Sequence, residues 1–139
     1  MNFYEEYKKK MMDKPGSIQQ VEKMATFETG ATRTADDNKP DFEGYLSPEV
    51  LYSYAAYMLS HQGTSKHRRD SDNWQLGIPR PRYMKSMFRH FMEVWRLHRI
   101  GEDLSSLEDL SNLVTALNAL LFNVMGYQHE LLKKLNEGK

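Results

Sequence analysis

The chain has no cysteine among its 139 residues. That absence excludes disulfides and thiolate metal sites, so any metal would have to be held by carboxylates, imidazoles or amide oxygens. Net charge is missing as well, because 19 Lys and Arg balance 19 Asp and Glu. Binding along duplex DNA draws on counterion release by several unopposed cations, so no duplex DNA partner is expected and a small, locally charged ligand fits better. No uninterrupted apolar run reaches the length of a membrane span, and the start MNFYEEYKKK lacks the apolar stretch of an export signal. A cytoplasmic protein without a membrane partner is the expectation, in the host cytoplasm if the chain is phage-encoded. Several catalytic signatures are also lacking: a Walker-type glycine loop, GxSxG, HExxH, a Cys–His pair and an adjacent His-Asp dipeptide. Covalent nucleophilic catalysis is therefore disfavoured, leaving metal-activated water or binding alone. No segment alternates as a strand and no repeat recurs.

What is present reads as all-α. With 40% hydrophobic and 27% charged residues the chain suits one compact domain with a real core. Residues 1–29 read as an irregular N-terminal arm carrying a short helix near Phe3–Met12, and residues 30–139 as the helical domain. Its first helix opens at Leu46-Ser47-Pro48-Glu49, where a serine cap, a proline at the first helical position and an acid in the first turn complement free amides. An apolar stripe of Val50, Leu51, Tyr54, Ala55, Met58 and Leu59 carries it to about His61. Residues 62–81 form a long loop with Gly63, Gly77, Pro79 and Pro81, and a loop of that length in a compact domain is more often functional than incidental. The second main helix, about Pro81–His98, has Met84, Met87, Phe88, Phe91, Met92 and Trp95 as its apolar face. The third is capped by Ser105 or Ser106 and buries Leu110, Leu113, Val114, Leu117, Leu121, Val124 and Met125, with Gly126 as a candidate bend. A bundle of about three main helices with an irregular arm and a long functional loop is the predicted architecture.

Chemistry concentrates between Arg68 and Trp95. The loop offers Arg69, Asn73 and Trp74, which suit a phosphate, the edge of a base and its face respectively. More commonly a loop tryptophan simply plugs the loop onto the core. The following helix adds Lys85 and Arg89 as further phosphate ligands, and His90 with Glu93 share one face at i, i+3. Glu102 and Asp103 lie in the next connection, and Glu108 and Asp109 open the third helix. Antiparallel helices can project such acids into one gap to hold a divalent cation; the alternative is an exposed i, i+3 pair and simple complementation of the helix dipole. Asn118 and Asn123 sit in the most apolar turns of the chain, so each either bonds a neighbouring helix or faces a ligand pocket.

Taken in order, Gly30-Ala31-Thr32-Arg33, Lys39-Pro40-Asp41-Phe42, Leu46-Ser47-Pro48-Glu49, Asp72-Asn73-Trp74 with Gly77, Arg89-His90 with Trp95, Gly101-Glu102-Asp103, Glu108-Asp109 and the run Ala116-Leu117 through Leu121-Phe122 resemble a family of mostly phage-encoded proteins. That family is described as the N-terminal domain of dATP/dGTP diphosphohydrolases and is loosely similar to all-α nucleotide pyrophosphohydrolases of the MazG type. The resemblance covers about residues 30–127. It implies a deoxynucleoside triphosphate pyrophosphohydrolase dependent on Mg²⁺ or Mn²⁺. On that expectation Glu93, Glu108 and Asp109 hold the ion, and His90, Glu102 or Asp103 assist the attacking water. Arg69, Lys85 and Arg89 hold phosphates, and Asn73, Trp74 and Asn118 complete the substrate site. The alternative is a phage protein that binds and sequesters a nucleotide without turnover. A homo-oligomer is expected in either case, because two partners within the chain would not cover so broad an apolar third helix.

Overall fold

The computed structural model describes residues 3–12, 23–36, 39–64, 66–101 and 104–138. The chain divides into two compact units, Met1–Ser47 and Pro48–Lys139.

The first unit holds helix α1 (Phe3–Met12), strands β1 (Met24–Thr26) and β2 (Thr32–Thr34) and the short helix α2 (Phe42–Tyr45). The strands pair antiparallel, Met24 with Thr34 and Thr26 with Thr32. Their turn is closed by Gly30 N–H donating to the Phe27 carbonyl at 2.8 Å. This hairpin was not expected, since three residues a side are too few for alternation to show. Its strands rest on local β preference in Thr26, Thr32 and Thr34. The expected boundary at 29/30 falls inside the hairpin turn, whereas the division between units lies at Ser47/Pro48. Asp41 starts α2 by accepting the Gly44 N–H at 2.8 Å.

The second unit holds α3 (Pro48–Ser60), a 3-10 turn (Asn73–Leu76), α4 (Arg80–Ile100) and α5 (Leu107–Glu137). These three main helices are the all-α bundle that periodicity predicts. Ser106 caps α5, accepting from the Asp109 N–H at 3.0 Å while its hydroxyl donates to the Asp109 carboxylate at 2.6 Å. With only residues 101–106 between them, α4 and α5 fold back as an antiparallel hairpin: Tyr83 near the start of α4 meets Phe122 and Gly126 far along α5. α3 is tied to α5 by Asn118, whose amide donates to the Ser53 hydroxyl at 2.9 Å and to its carbonyl at 3.4 Å.

The packing reverses part of the expectation. The face of α5 that is buried is its small-residue face, Ala116, Ala119, Asn123 and Gly126, at spacings of three and four. Leu110, Val114, Leu117, Val124 and Met125, expected inside, are 37–46% exposed. α4 shows the same inversion. Tyr83 is 1% exposed and Met87, His90, Val94 and Leu97 are half-buried behind it, while Met84, Phe88, Phe91, Met92 and Trp95 lie outside. The physical reason is close approach: helices can come near enough to enclose a tyrosine ring only where the facing side chains are small. Gly126 shows it directly. α5 runs unbroken through this residue, and a methyl placed there would overlap the Tyr83 ring. By length and composition alone α5 is also apolar enough to cross a membrane, although no uninterrupted apolar run in the sequence is that long; 28% of that window is buried.

Candidate functional site

Within the second unit, the C-terminal half of α3, the 61–79 loop and the facing sides of α4 and α5 enclose a cleft of about 680 Å³. That is the size range of small-molecule sites. Tyr54, Tyr57 and Met58 come from α3, His90 and Ser86 from α4, and Phe122 and Asn123 from α5. The loop contributes His61, Gln62, Arg69, Asp70, Asn73 and Trp74.

The loop is shaped by its own hydrogen bonds. Gly63 adopts φ +104, and a side chain there would run into the His67 carbonyl, so only glycine fits this tight reversal. The strands of the reversal are then pinned: Arg69 N–H donates to the Gln62 carbonyl at 2.8 Å, the Arg69 guanidinium donates to the His61 carbonyl, and Arg68 donates twice to the Gln62 side-chain oxygen at 2.9 and 3.2 Å. Beyond it, Asn73 N–H donates to the Asp70 carbonyl at 3.1 Å and leads into the 3-10 turn. Trp74 is carried on that turn and packs edge-on against His129 of α5, ring centroids 4.7 Å apart. Trp74 therefore plugs the loop onto the bundle and also forms a wall of the cleft.

Most of the polar lining is neutral. His61 Nδ1 lies 2.8 Å from the Tyr57 carbonyl and 2.9 Å from the Ser60 hydroxyl. Its ring lies against Tyr57 at 4.1 Å between centroids. Burial, with Arg89 nearby, lowers the His90 pKa below its ordinary 6.5, so this imidazole is uncharged near pH 7. Burial raises the pKa of both Tyr54 and Tyr57, which keeps their hydroxyls protonated as donors. Asn123, 5% exposed, donates one amide N–H to the Ala119 carbonyl at 2.8 Å. That bond fixes which way the amide faces, and its oxygen has no partner among the described residues. Arg69 and Asp70 are the charged residues of the lining, one of each sign.

Of the residues singled out from sequence, Arg69, Asn73, Trp74 and His90 come together in the cleft. Lys85 and Arg89 lie on the exposed side of α4 outside it, with Arg89 donating to the Ser86 hydroxyl at 3.0 Å. Asn118 holds α3 and does not line the cleft, and the pocket asparagine is Asn123. Glu93 is engaged by Arg96 at 2.8 Å, and the Arg96 hydrogen bond lowers its pKa. Asp109 serves the Ser106 cap. Since Tyr83 lies opposite Gly126, Glu93 falls opposite about residue 116, roughly two helical turns or 12 Å from Glu108. The structure does not gather Glu93, Glu108 and Asp109. Among the described residues no three acids or histidines are grouped to hold a metal ion. Glu102 and Asp103 lie outside the described residues. Mg²⁺ is usually bound by one or two carboxylates together with waters and phosphate oxygens, and the carboxylate that lines the cleft is Asp70.

From sequence, Tyr54 belongs to the apolar stripe of the first main helix and His61 marks its end, and neither they nor Tyr57 carry a site role. The available signal was their spacing: positions 54 and 57 are i, i+3 on one face of α3, and position 61, one turn further on, is the first residue of the loop. Comparison with protein-family models, curated proteins and solved structures finds no match to this chain.

Proposed function

We propose that the second unit is a nucleotide-binding module that holds its ligand without hydrolysing it. The observation that carries this reading is the make-up of the cleft: aromatic walls, neutral hydrogen-bonding groups and a single guanidinium share one enclosure, while Glu93 and Asp109 are engaged outside it by Arg96 and Ser106. Tyr54, Tyr57 and Trp74 suit the faces of a base. Asn73 and Asn123 each present both a donor and an acceptor, as the edge of a base requires. Arg69 suits a phosphate oxygen pair.

Charge narrows the ligand. Arg69 is opposed by Asp70 in the same lining, so a triphosphate without its own cation would meet little compensation, and burying uncompensated charge is costly. A nucleoside monophosphate, or another nucleotide with few phosphates, matches better. This favours sequestration over the pyrophosphohydrolase reading, which needs a carboxylate-held ion.

Calorimetric titration of purine deoxynucleoside mono- and triphosphates in EDTA tests the proposal. Micromolar binding of the monophosphate is expected, weakened about tenfold or more by Trp74→Ala or Arg69→Ala, since base stacking contributes about 1–3 kcal/mol. With Mg²⁺ and triphosphate no pyrophosphate should form. Pyrophosphate release that stops in Glu93→Gln would reinstate hydrolysis, and failure of every nucleotide to bind would remove the proposal.

A further inference from the structure

Two polar side chains of the cleft each have one hydrogen-bonding role already taken, which fixes the role that is left. The antiparallel register that sets Tyr83 opposite Gly126 also sets Ser86 of α4 opposite Asn123 of α5, and both line the cleft. Asn123, 5% exposed, gives an amide N–H to the Ala119 carbonyl at 2.8 Å, which turns its oxygen the other way. That oxygen accepts nothing among the described residues, yet it is not enclosed by protein as the Tyr83 hydroxyl and one Glu130 oxygen are. The Ser86 oxygen accepts from the Arg89 guanidinium at 3.0 Å. A guanidinium can only donate, so the serine proton is left for another partner. Between them the two residues offer the cleft one acceptor and one donor.

We infer that Ser86 and Asn123 together read the edge of the base, and that the pair selects adenine over guanine. This rests on the nucleotide reading above. Adenine carries its exocyclic amine beside a ring nitrogen that accepts, on the Watson–Crick and on the Hoogsteen edge alike. The Asn123 oxygen takes an N–H of the amine and the Ser86 hydroxyl donates to the ring nitrogen, so one acceptor and one donor satisfy either edge. Guanine matches on neither. Its Hoogsteen edge presents two acceptors, which would set one lone pair against the Asn123 oxygen. Its Watson–Crick edge carries two N–H groups beside the carbonyl, one more than this pair can meet, and a buried donor without a partner is costly.

Calorimetric titration of the full chain in EDTA tests the pair with the monophosphates of deoxyadenosine, deoxyguanosine and purine deoxyriboside, the last being the adenine compound without its amine. The adenine nucleotide should bind roughly tenfold tighter than either of the others. Asn123→Ala should weaken the adenine nucleotide about tenfold and leave the purine nucleotide unchanged, because only the amine meets that oxygen. Ser86→Ala should weaken both by a similar factor, since both keep the ring nitrogens. If Asn123→Ala does not fold, the ligand comparison on the unaltered chain and the Ser86 variant still decide. Equal binding of the adenine and purine nucleotides, a preference for guanine, or an Asn123→Ala loss that is the same for both ligands would overturn the pair while nucleotide binding stands. Failure of all three to bind would remove the nucleotide reading and this one with it.

Discussion

The α4–α5 hairpin is built differently at its two ends. At the loop-bearing end a fully buried tyrosine lies over a glycine, Trp74 of the loop leans on His129, the Arg80 guanidinium stands 6.0 Å from the Tyr127 ring, and the cleft opens beside them. At the connection end Ile100 and Leu107 are 70% and 83% exposed, and the acids Glu108 and Asp109 sit in the first turn of α5. Acids in a first helical turn are stabilised by the helix dipole whether or not they have any other task. Close packing of small residues, by contrast, creates a fixed enclosure in which polar groups can be aimed. The comparison teaches that in this chain a local excess of carboxylates marks a helix start, while chemistry collects where small residues let three elements converge.

The largest effect that would break this contrast lies at Tyr83. Tyr83→Ala is expected to cost about 3–5 kcal/mol in chemical denaturation, whereas Tyr83→Phe should cost nothing or stabilise, because the buried hydroxyl has no hydrogen-bond partner among the described residues. Gly126→Ala follows. In an ordinary helix this change stabilises by about 1 kcal/mol, but here overlap with the Tyr83 ring should reverse the sign and destabilise by about 1–3 kcal/mol.

The two buried asparagines sharpen the comparison further. Asn118→Ala should lower stability by about 1–2 kcal/mol, having lost its bonds to Ser53, with nucleotide affinity unchanged. Asn123→Ala should reduce affinity about tenfold, the loss of about 1.4 kcal/mol in binding.

The smallest effect concerns pH. His90 in the folded chain holds its proton less tightly than in the unfolded chain, so the folded state is disfavoured as pH falls through 6.5 toward the lowered value, and stability present above 6.5 is progressively lost. The ring proton resonances of His90 should titrate below 6.5, and His90→Gln should flatten the loss of stability between pH 7 and 5. A midpoint at or above 6.5 would contradict the burial of this imidazole.

The main helices were legible because their signals are local. Ser47-Pro48-Glu49 and the Ser106 cap announce helix starts, and a 3.6-residue rhythm carries each helix forward. The loop was legible for the same reason, and with it Arg69, Asn73 and Trp74. Which side of each helix faces inward was not, because α4 and α5 each carry two apolar faces. The large-residue face gives the stronger pattern, yet the bundle uses the face on which Tyr83 meets Gly126. From that inversion follow the misplaced leucine stripe, the exchange of roles between Asn118 and Asn123, and the separation of Glu93 from Glu108. The register that decides them depends on side chains 43 positions apart, and no local spacing encodes it.

The most direct measurement is a heteronuclear NMR titration of the chain with a purine deoxynucleoside monophosphate in EDTA. Shifts should concentrate on the Trp74 indole, the His61 and His90 rings and the Asn123 side-chain amide, with Glu93, Glu108 and Asp109 unmoved. Perturbation centred on those three acids, or seen only after Mg²⁺ is added, would contradict the account.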